Sequence, residues 1–460
     1  MALRKNNAPK NKKVNKQFKL TPTQMIALAF ALIILLGATL LCLPIASRSG
    51  VSCGFRPALF TATSATCVTG LVMFDTWSQW SAFGQIVLLC LIEIGGLGFM
   101  SVTSLVILLL RKKIGLRQKM LIAQAFSVNE MQSVVGIQKW VIFGSLSVQA
   151  IGALVLFLRF LPEYGLSRAA AWGVFHAVSA FCNAGFDITG SIQPGANLNV
   201  FNDDPVVCIT IMALVVIAGL GFFVWQEIAT IRRFKDYSVY TKLVLITTGV
   251  LLLGGALVIG LLEWNNPETL GQMPTWQKIL NAFFQSVTVR TAGFTSFDQA
   301  AMTDAGKAVS IFLMFIGGSS GSTAGGIKTI TFLVLVLFVF GRARGKDKVT
   351  VFHRNVPYSK IMDATTIVTL IVSLAMLGAV FISATAPVSF IDALYETASA
   401  LATVGLTAGV TPLLPIPAQY MIILFMYFGR VGILTLSLGF LAGDKAEERF
   451  QYADTNLLIG

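Results

Sequence analysis

The stretch Thr66-Cys67-Val68-Thr69-Gly70-Leu71 recurs in variant form three more times along the chain of 460 residues. The later copies read Phe181-Cys182-Asn183-Ala184-Gly185-Phe186, Val289-Arg290-Thr291-Ala292-Gly293-Phe294 and Leu401-Ala402-Thr403-Val404-Gly405-Leu406. Their glycines stand 108 to 115 residues apart, and three of them are preceded by a serine at six positions' distance: Ser64, Ser179 and Ser399. A second glycine-bearing marker follows each copy, at residues 95–98, 218–221, 317–320 and 429–432. Two markers that recur four times in register predict an internal repeat.

The composition around these repeats is that of a membrane protein. Hydrophobic residues make up 55% of the chain and charged residues 12%, and the mean hydropathy is +0.77. A soluble globular protein carries about 25% charged residues, so the polar surface here is too small for a soluble enzyme. The six cysteines and two histidines show no spacing typical of a metal site. We therefore expect an integral membrane protein that is not an enzyme and binds no cofactor of its own.

Apolar runs that approach or exceed the roughly 20 residues needed to cross a bilayer occur eight times along the chain. They cover residues 23–44, 82–110, 138–160, 205–231, 243–262, 308–340, 361–382 and 418–441. Between the members of each successive pair lies a moderately apolar segment that is too short to span. These segments cover residues 56–66, 170–181, 275–288 and 388–401. Each predicted unit is a span, a short helix, a glycine-bearing loop and a second span.

The positive charges orient this arrangement. Of the 34 lysines and arginines, 25 fall on one side of the membrane in this arrangement. They lie in the two tails, at the start of the third span and in the loops 111–119, 232–242 and 342–360. By the positive-inside rule this side, with both termini, is cytoplasmic, and the short segments lie on the outer side. The net charge of +13 is thus an orientation signal and does not require nucleic acid. We divide the chain into a basic tail (1–20), four repeats (21–119, 120–236, 237–356 and 357–443) and a C-terminal tail (444–460).

Four copies of this unit around one axis would bring the four glycine-bearing loops to one point. Non-helical backbone at membrane depth is tolerated only where it is buried in protein or lines a watery cavity. The carbonyls of such loops can replace the water shell of a cation, as in potassium-channel filters. The short helices would point the negative ends of their dipoles at the same place. The alternative, that the glycines only permit close helix packing, explains one such glycine better than four in register.

The candidate ion-binding residues are the four that end at each glycine, and they would act through their backbone. They are Cys67, Val68, Thr69 and Gly70; Cys182, Asn183, Ala184 and Gly185; Arg290, Thr291, Ala292 and Gly293; and Ala402, Thr403, Val404 and Gly405.

The repeat plan, the phrases at residues 181–186 and 289–294 and the glycine-rich stretch 317–329 resemble the Trk/Ktr/HKT superfamily of cation transporters. The sequence looks most like the membrane subunit of a bacterial Ktr-type potassium uptake system. This resemblance implies an all-α integral membrane fold in a bacterial cell membrane, with eight transmembrane helices and four re-entrant pore loops around a pseudo-fourfold pore. It also implies a homodimer and a cytosolic ring of RCK subunits that binds ATP, ADP or NAD. In plant relatives a serine in the first filter accompanies sodium preference, so Gly70 implies potassium selectivity.

The predicted span 308–340 is unusually long and glycine-rich. As one straight helix it would measure about 50 Å, whereas the hydrocarbon core of a bilayer is about 30 Å thick. Five glycines fall within residues 317–326, and each costs about 0.8–1 kcal/mol in a helix relative to alanine. We therefore expect a broken helix here, and the resemblance implies an intramembrane gate below the filter. The alternatives are a plain flexible hinge and a phosphate-binding loop, since Gly326-Ile327-Lys328-Thr329 is similar to a Gly-Lys-Thr ending.

Two positive charges inside the predicted spans, Lys328 and Arg430, belong to the same hypothesis. Arg430 lies within the last span, where an ionised group is costly unless it is paired. It either holds the gate loop through backbone carbonyls or pairs with Glu93. Arg290 is expected to point toward the short helices and outer acids such as Asp298. The candidate gate residues are Gly317, Gly318, Ser319, Ser320, Gly321, Ser322, Thr323, Gly325, Gly326, Lys328 and Arg430.

Potassium uptake through a filter, influenced by sodium and controlled from the cytosol, is the function that these features predict. A coupled transporter with alternating access typically has inverted repeats, whereas the four repeats here share one orientation. A sodium-permeable channel or a coupled cation symporter of the same superfamily is the alternative.

Overall fold

A computed structural model describes residues 22–98, 134–346, 348–352 and 354–432, and these are predominantly α-helical. The two predicted tails (1–20 and 444–460) and the basic loop 111–119 lie outside the described residues. The helices of the first two repeats are α1 (Pro22–Leu41), α2 (Phe55–Cys67), α3 (Thr76–Gln79), α4 (Ala82–Leu97), α5 (Val134–Cys182), α6 (Pro205–Leu220) and α7 (Phe222–Thr230).

The second half of the chain repeats this order. Its helices are α8 (Val239–Glu263), α9 (Thr275–Thr288), α10 (Asp304–Phe315), α11 (Thr329–Ala343), α12 (Tyr358–Thr385), α13 (Phe390–Ala402) and α14 (Ile416–Val431). Between α11 and α12 a small antiparallel hairpin pairs β1 (Thr350–Val351) with β2 (Arg354–Asn355).

The predicted short segments agree well with helices. Segments 56–66, 275–288 and 388–401 match α2, α9 and α13 to within two residues at each end. The second segment, 170–181, forms the last part of α5, a range that consists of two helices meeting at the non-helical residue Gly165, where φ is +73°. These helices pack inward: every residue of α13 from Tyr395 to Ala402 is buried.

One predicted span needs correction, and the predicted break in another is confirmed. Helix α6 ends at Leu220, and α7 leaves it at an angle of 93°, so the span 205–231 is not one straight helix. The break occurs because Gly221 has φ +93°, in the left-handed region that glycine adopts without strain. The span 308–340 is broken after Phe315, as its glycines predict. Helices α4 and α14 end at Leu97 and Val431, and the rest of spans 82–110 and 418–441 lies beyond the described residues.

Within the described residues, four helices are long and apolar enough to cross a membrane, namely α1, α5, α8 and α12. The bent pair of α6 and α7 would make a fifth. Their apolar side chains also face outward, as on α8, where an exposed stripe comprises Ile246, Val250, Leu253, Leu257 and Leu261. An apolar stripe on the outside of a helix is suited to lipid rather than to water. The chain is therefore a multi-pass membrane protein, and the full set of eight spans stays a prediction.

Candidate functional site

The glycine-bearing loops that follow the four short helices meet in a closed ring. Each phrase glycine faces the carbonyl oxygen that precedes the glycine of the next repeat, and the last repeat packs against the first. A Cβ built on any of these glycines would collide with that oxygen. The distances from such a Cβ to the carbonyl oxygen are 2.6 Å for Gly70 and Ala184, 2.9 Å for Gly185 and Ala292, and 2.5 Å for Gly293 and Val404; Gly405 faces Thr69 in the same way. All four glycines have positive φ, between +68° and +102°.

A second feature recurs in register two residues before each glycine. The residue there has a left-handed backbone although it is not glycine: Val68 (φ +57°), Asn183 (+60°), Thr291 (+69°) and Thr403 (+53°). Such a conformation is unfavourable for a side chain with a Cβ and persists only where its surroundings enforce it. It turns the chain sharply at the end of the short helix. No sequence pattern marked these positions, because the four residue types differ.

Hydroxyl groups of the short helices hold the loops in this conformation. The amides of Gly70 and Gly405 each donate to a serine hydroxyl six residues earlier, Ser64 and Ser399, at 3.0 Å. In the second repeat the hydroxyl of Ser179 donates to the Phe186 carbonyl at 2.7 Å. The third repeat lacks the serine, and the hydroxyl of Thr288 takes the equivalent role toward the Phe294 carbonyl at 2.6 Å. The recurring serine was visible in the sequence, but its task was not.

Buried polar side chains further support the ring from behind. Glu396 of α13 is fully buried and accepts hydrogen bonds from the hydroxyls of Thr407, at 2.6 Å, and Thr411. Gln299 accepts from Gln285 of α9 at 2.6 Å and from the Tyr395 hydroxyl at 2.8 Å. Sequence reasoning missed these residues, and the only signal was polar residues within short apolar helices.

The glycine-rich loop between α10 and α11 lies directly against the ring. Its two ends pair with each other, since the amide of Gly317 donates to the Ile327 carbonyl at 3.0 Å. The Thr323 hydroxyl donates to the Phe181 carbonyl at 3.2 Å, at the end of the second short helix. A Cβ on Gly325 would lie 2.9 Å from the Ala402 carbonyl and collide with the side chain of Thr403. The backbone of this loop therefore approaches the ring as closely as glycine permits.

Arg290 contacts this loop, which corrects the sequence prediction. One guanidinium nitrogen of Arg290 donates to the Gly317 carbonyl at 3.0 Å, and the side chain is buried. Asp298, toward which it was expected to point, accepts instead from the amide of Ala300 at 2.9 Å. Carbonyls exposed by the helix break are nearer to Arg290 and are suitable acceptors for a guanidinium.

Arg430 also contacts the loop, so the first of its two open roles matches its geometry. Its guanidinium donates to the Thr323 carbonyl and to the carbonyls of Gly95 and Gly96, the last at 3.1 Å. Glu93 is occupied elsewhere, by Gln149 at 3.1 and 3.2 Å and by the Cys182 thiol at 3.3 Å. The pairing of Arg430 with Glu93 is therefore absent.

The remaining gate candidates form contacts within the loop or with the neighbouring repeat. The amine of Lys328 donates to the Ala324 carbonyl at 2.7 Å. The hydroxyl of Ser322 donates to the Ser319 carbonyl at 2.6 Å. The hydroxyl of Ser319 forms a hydrogen bond with the hydroxyl of Thr329 at 3.0 Å. Because a helix precedes this stretch, the alternative of a phosphate-binding loop after a strand is wrong.

A cavity of about 970 Å³ borders the glycine-rich loop. Its walls include loop residues 320–322 and 324–328, parts of α11 and α12, the end of α14 and Leu401 of the fourth phrase. Arg354 and Lys360 also line it, so the cavity is basic as well as partly apolar. The loop thus contacts both the ring of backbone carbonyls and a large cavity.

Comparison with known proteins agrees with this geometry. The family model described as TrkH, a cation transport protein, matches residues 3–449. The chain belongs to this TrkH family. The membership confirms the resemblance to the Trk/Ktr/HKT superfamily.

Relatives and a solved structure of the TrkH family match almost the full chain. The potassium/sodium uptake protein NtpJ of Enterococcus hirae is 38% identical over 454 residues, which is 98% of this chain and 99% of that protein. The Ktr system potassium uptake protein B of Bacillus subtilis is 40% identical over 450 residues, covering 97% and 99%. The crystal structure of the potassium transporter TrkH from Vibrio parahaemolyticus aligns with a TM-score of 0.70 at 18% identity, covering 93% and 86%. At that identity the likeness is one of fold.

Proposed function

We propose that this chain takes up potassium ions through the ring of backbone carbonyls. The observation that carries the proposal is the closed cycle in which each of the four phrase glycines packs against a carbonyl of the next repeat. A ring of carbonyl oxygens replaces the hydration shell of a cation without any ionised side chain. The names of the relatives support potassium as the ion, since both are described as uptake proteins for it.

The loop at residues 317–326 acts as the gate in this proposal. It contacts both the ring and the cavity of about 970 Å³, and two arginines, Arg290 and Arg430, hold it there through its carbonyls. An ion leaving the ring must pass this loop, so movement of the loop controls flux. The positive charges of the arginines add an electrostatic barrier to a cation.

Control comes from a partner in the cytosol in the same proposal. The Bacillus relative carries the name of a Ktr system, which supports an assembly of more than one component. We assign to this chain a homodimer in the cell membrane, with both termini cytoplasmic, and a regulatory RCK-type ring that binds ATP, ADP or NAD. The basic segment 342–360, with the exposed Arg354 and Lys360, is a candidate docking surface.

The substitutions Gly70→Ser and Gly293→Ser test whether the ring is the selectivity filter. Each substitution adds a side chain where Ala184 or Val404 oxygen already lies within 2.6 Å of the Cβ position, so the ring must distort. We expect the preference for potassium over sodium to fall by about tenfold or more, as a loss of about 1.4 kcal/mol or more in discrimination. Rubidium and sodium uptake are measured in a bacterial strain without its own potassium uptake systems.

The matched control is Gly254→Ser on α8, where a Cβ meets no atom within 4 Å. This variant should keep the selectivity of the wild type. Unchanged selectivity in both ring variants would falsify the filter assignment.

A sodium-permeable channel or a coupled symporter is the second candidate, and the name of the Enterococcus relative, potassium/sodium uptake protein, favours it. The two functions differ in one measurement. A potassium filter takes up rubidium without sodium, whereas a strict symporter requires sodium on the outer side. Uptake with and without external sodium, and with and without the cytosolic partner, distinguishes them.

A further inference from the structure

A bent segment at the junction of the second and third repeats is attached directly to the gate loop by hydrogen bonds. We call residues 222–242 the basic elbow; they comprise α7, the connection after it and the first turn of α8. The amide of Phe222 donates to the Gly321 carbonyl at 2.9 Å. The hydroxyl of Tyr240 donates to the Ser320 carbonyl, also at 2.9 Å. Both ends of the elbow therefore hold adjacent residues of the same loop.

The elbow is braced internally, so its parts move together. Glu227 of α7 accepts from the Ser238 amide at 2.5 Å, from the Ser238 hydroxyl at 2.8 Å and from the hydroxyl of Thr241. These bonds close the connection between α7 and α8 into a compact unit. A force on the outer part of the elbow is thereby passed to Phe222 and Tyr240.

The outer part of the elbow combines positive charge with exposed apolar groups. Arg232 and Arg233 are exposed, and in the described part of the chain no carboxylate lies within ion-pair distance of either. Beside them, Phe234 is 49% exposed and Ile228 is 42% exposed. Basic residues next to exposed aromatic and aliphatic ones are typical of a segment in the interface of an anionic membrane.

The direction of α7 fits the same surface. The helix leaves the apolar helix α6 at 93°, so it runs across the direction of that helix rather than along it. A helix perpendicular to a span, at the end that carries the positive charges, lies along the lipid headgroups. An acidic protein surface would match the arginines but not the neighbouring Phe234 and Ile228.

We propose that the basic elbow binds the headgroups of anionic phospholipids in the cytoplasmic leaflet and thereby holds the gate loop against the ring. The inference rests on the proposed function, because the loop controls flux only if ions pass the ring. A ligand stabilises the arrangement to which it binds better. In the arrangement described here the arginines face outward and the loop lies under the ring, so anionic lipid lowers the flux.

The test uses the purified full-length protein in vesicles of phosphatidylcholine, with or without phosphatidylglycerol. Rubidium flux through the wild type should be lower in the anionic vesicles. In the variant Arg232→Gln/Arg233→Gln most of this difference should disappear, because each charge near an anionic surface contributes about fivefold to binding. The control Arg344→Gln/Lys346→Gln removes two exposed charges outside the elbow and should keep the response.

Tyr240→Phe separates lipid binding from its consequence, since it removes only the hydroxyl that contacts Ser320. In anionic vesicles its rubidium flux should be about 2- to 10-fold higher than that of the wild type, because loss of one hydrogen bond shifts the equilibrium of the loop by about that factor. Phosphatidylglycerol with a photoreactive headgroup should still label residues 222–242 of this variant. Tyr237→Phe, in the same elbow, is the control and should behave as the wild type.

Several results would overturn the proposal: equal wild-type flux in both kinds of vesicle, labelling only outside the elbow, or an unchanged lipid response in the double arginine variant. A double variant that loses its response to a cytosolic partner but keeps its response to lipid would identify the elbow as a protein contact instead. Absence of flux in every vesicle would overturn the proposed function, and the labelling then decides the lipid site alone.

Discussion

At the scale of single residues, the sequence pattern marks some of the residues that form the ring and not others. The four glycines stand in register in the sequence, and their need is steric, because a Cβ would meet a neighbouring carbonyl. The left-handed Val68 and Thr403 carry no such mark, since their conformation is imposed by the fold and not by their own preference. The arginines at 290 and 430 were visible as charges, but their acceptors are backbone carbonyls, which every residue possesses.

Asp187, two residues beyond Gly185, predicts a pH dependence of uptake. Burial, opposed by hydrogen bonds from Thr189 and assisted by the charge of Asp75, raises the pKa of Asp187 to about 6. Above that pH the carboxylate is ionised and attracts cations to the outer mouth; below it the group is neutral. Uptake should therefore fall as the external pH drops through about 6.

Asp187→Asn should remove this step in an uptake measurement across acidic and neutral external pH. Asp298→Asn, which changes an exposed carboxylate on the same side of the protein, should retain it because Asp187 is intact. A step of equal size in Asp187→Asn would show that another group is responsible.

At the scale of elements, the second predicted span of the third repeat, 308–340, illustrates what a local pattern can predict. Five glycines in ten residues make a helix costly, and the break after Phe315 follows from that cost alone. The bend at Gly221 was missed because two glycines, Gly219 and Gly221, within an apolar run are still compatible with a straight helix. There the Phe222 amide finds its acceptor in Gly321, a residue of another repeat.

Arg430→Ala should release the gate loop and raise the flux. The variant loses the bonds to Thr323 and to Gly95 and Gly96, and a hydrogen bond to a charged group contributes about 1.5–3 kcal/mol. We expect rubidium flux without the cytosolic partner to increase about tenfold or more, with little change in the preference for potassium.

Arg430→Lys is the matched control, since it keeps the charge but cannot reach three carbonyls with one planar fork. Its flux should lie between those of the wild type and the alanine variant. A flux equal to that of the wild type in Arg430→Ala would contradict the gating role.

At the scale of the whole molecule, the positive charges predict the orientation of the chain in the membrane. Lys346, in the basic segment between α11 and α12, should face the cytoplasm, and Gln193, in the loop after the second ring glycine, should face outward. Both side chains are exposed and suitable for labelling.

With Lys346→Cys and Gln193→Cys, a membrane-impermeant thiol reagent applied to intact cells should label only position 193. The protein with its six native cysteines gives the background, and broken cells should allow labelling of both positions. Labelling of position 346 from outside would reverse the predicted orientation.

The sequence by itself determined the membrane class, the fourfold repeat, the short helices and the position of the broken helix. Each of these follows from composition, period or local backbone cost, and such properties act within a few residues. Only the tertiary structure decided which groups meet: the cyclic pairing of glycines with carbonyls, the attachment of Arg290 and Arg430 to the gate loop and the link from Tyr240 to Ser320. The ring pairs and the contact of Arg430 join different repeats, whereas Arg290 and Tyr240 reach the gate loop within the third repeat. In every case the partner atoms are main-chain oxygens, which leave no trace in residue type.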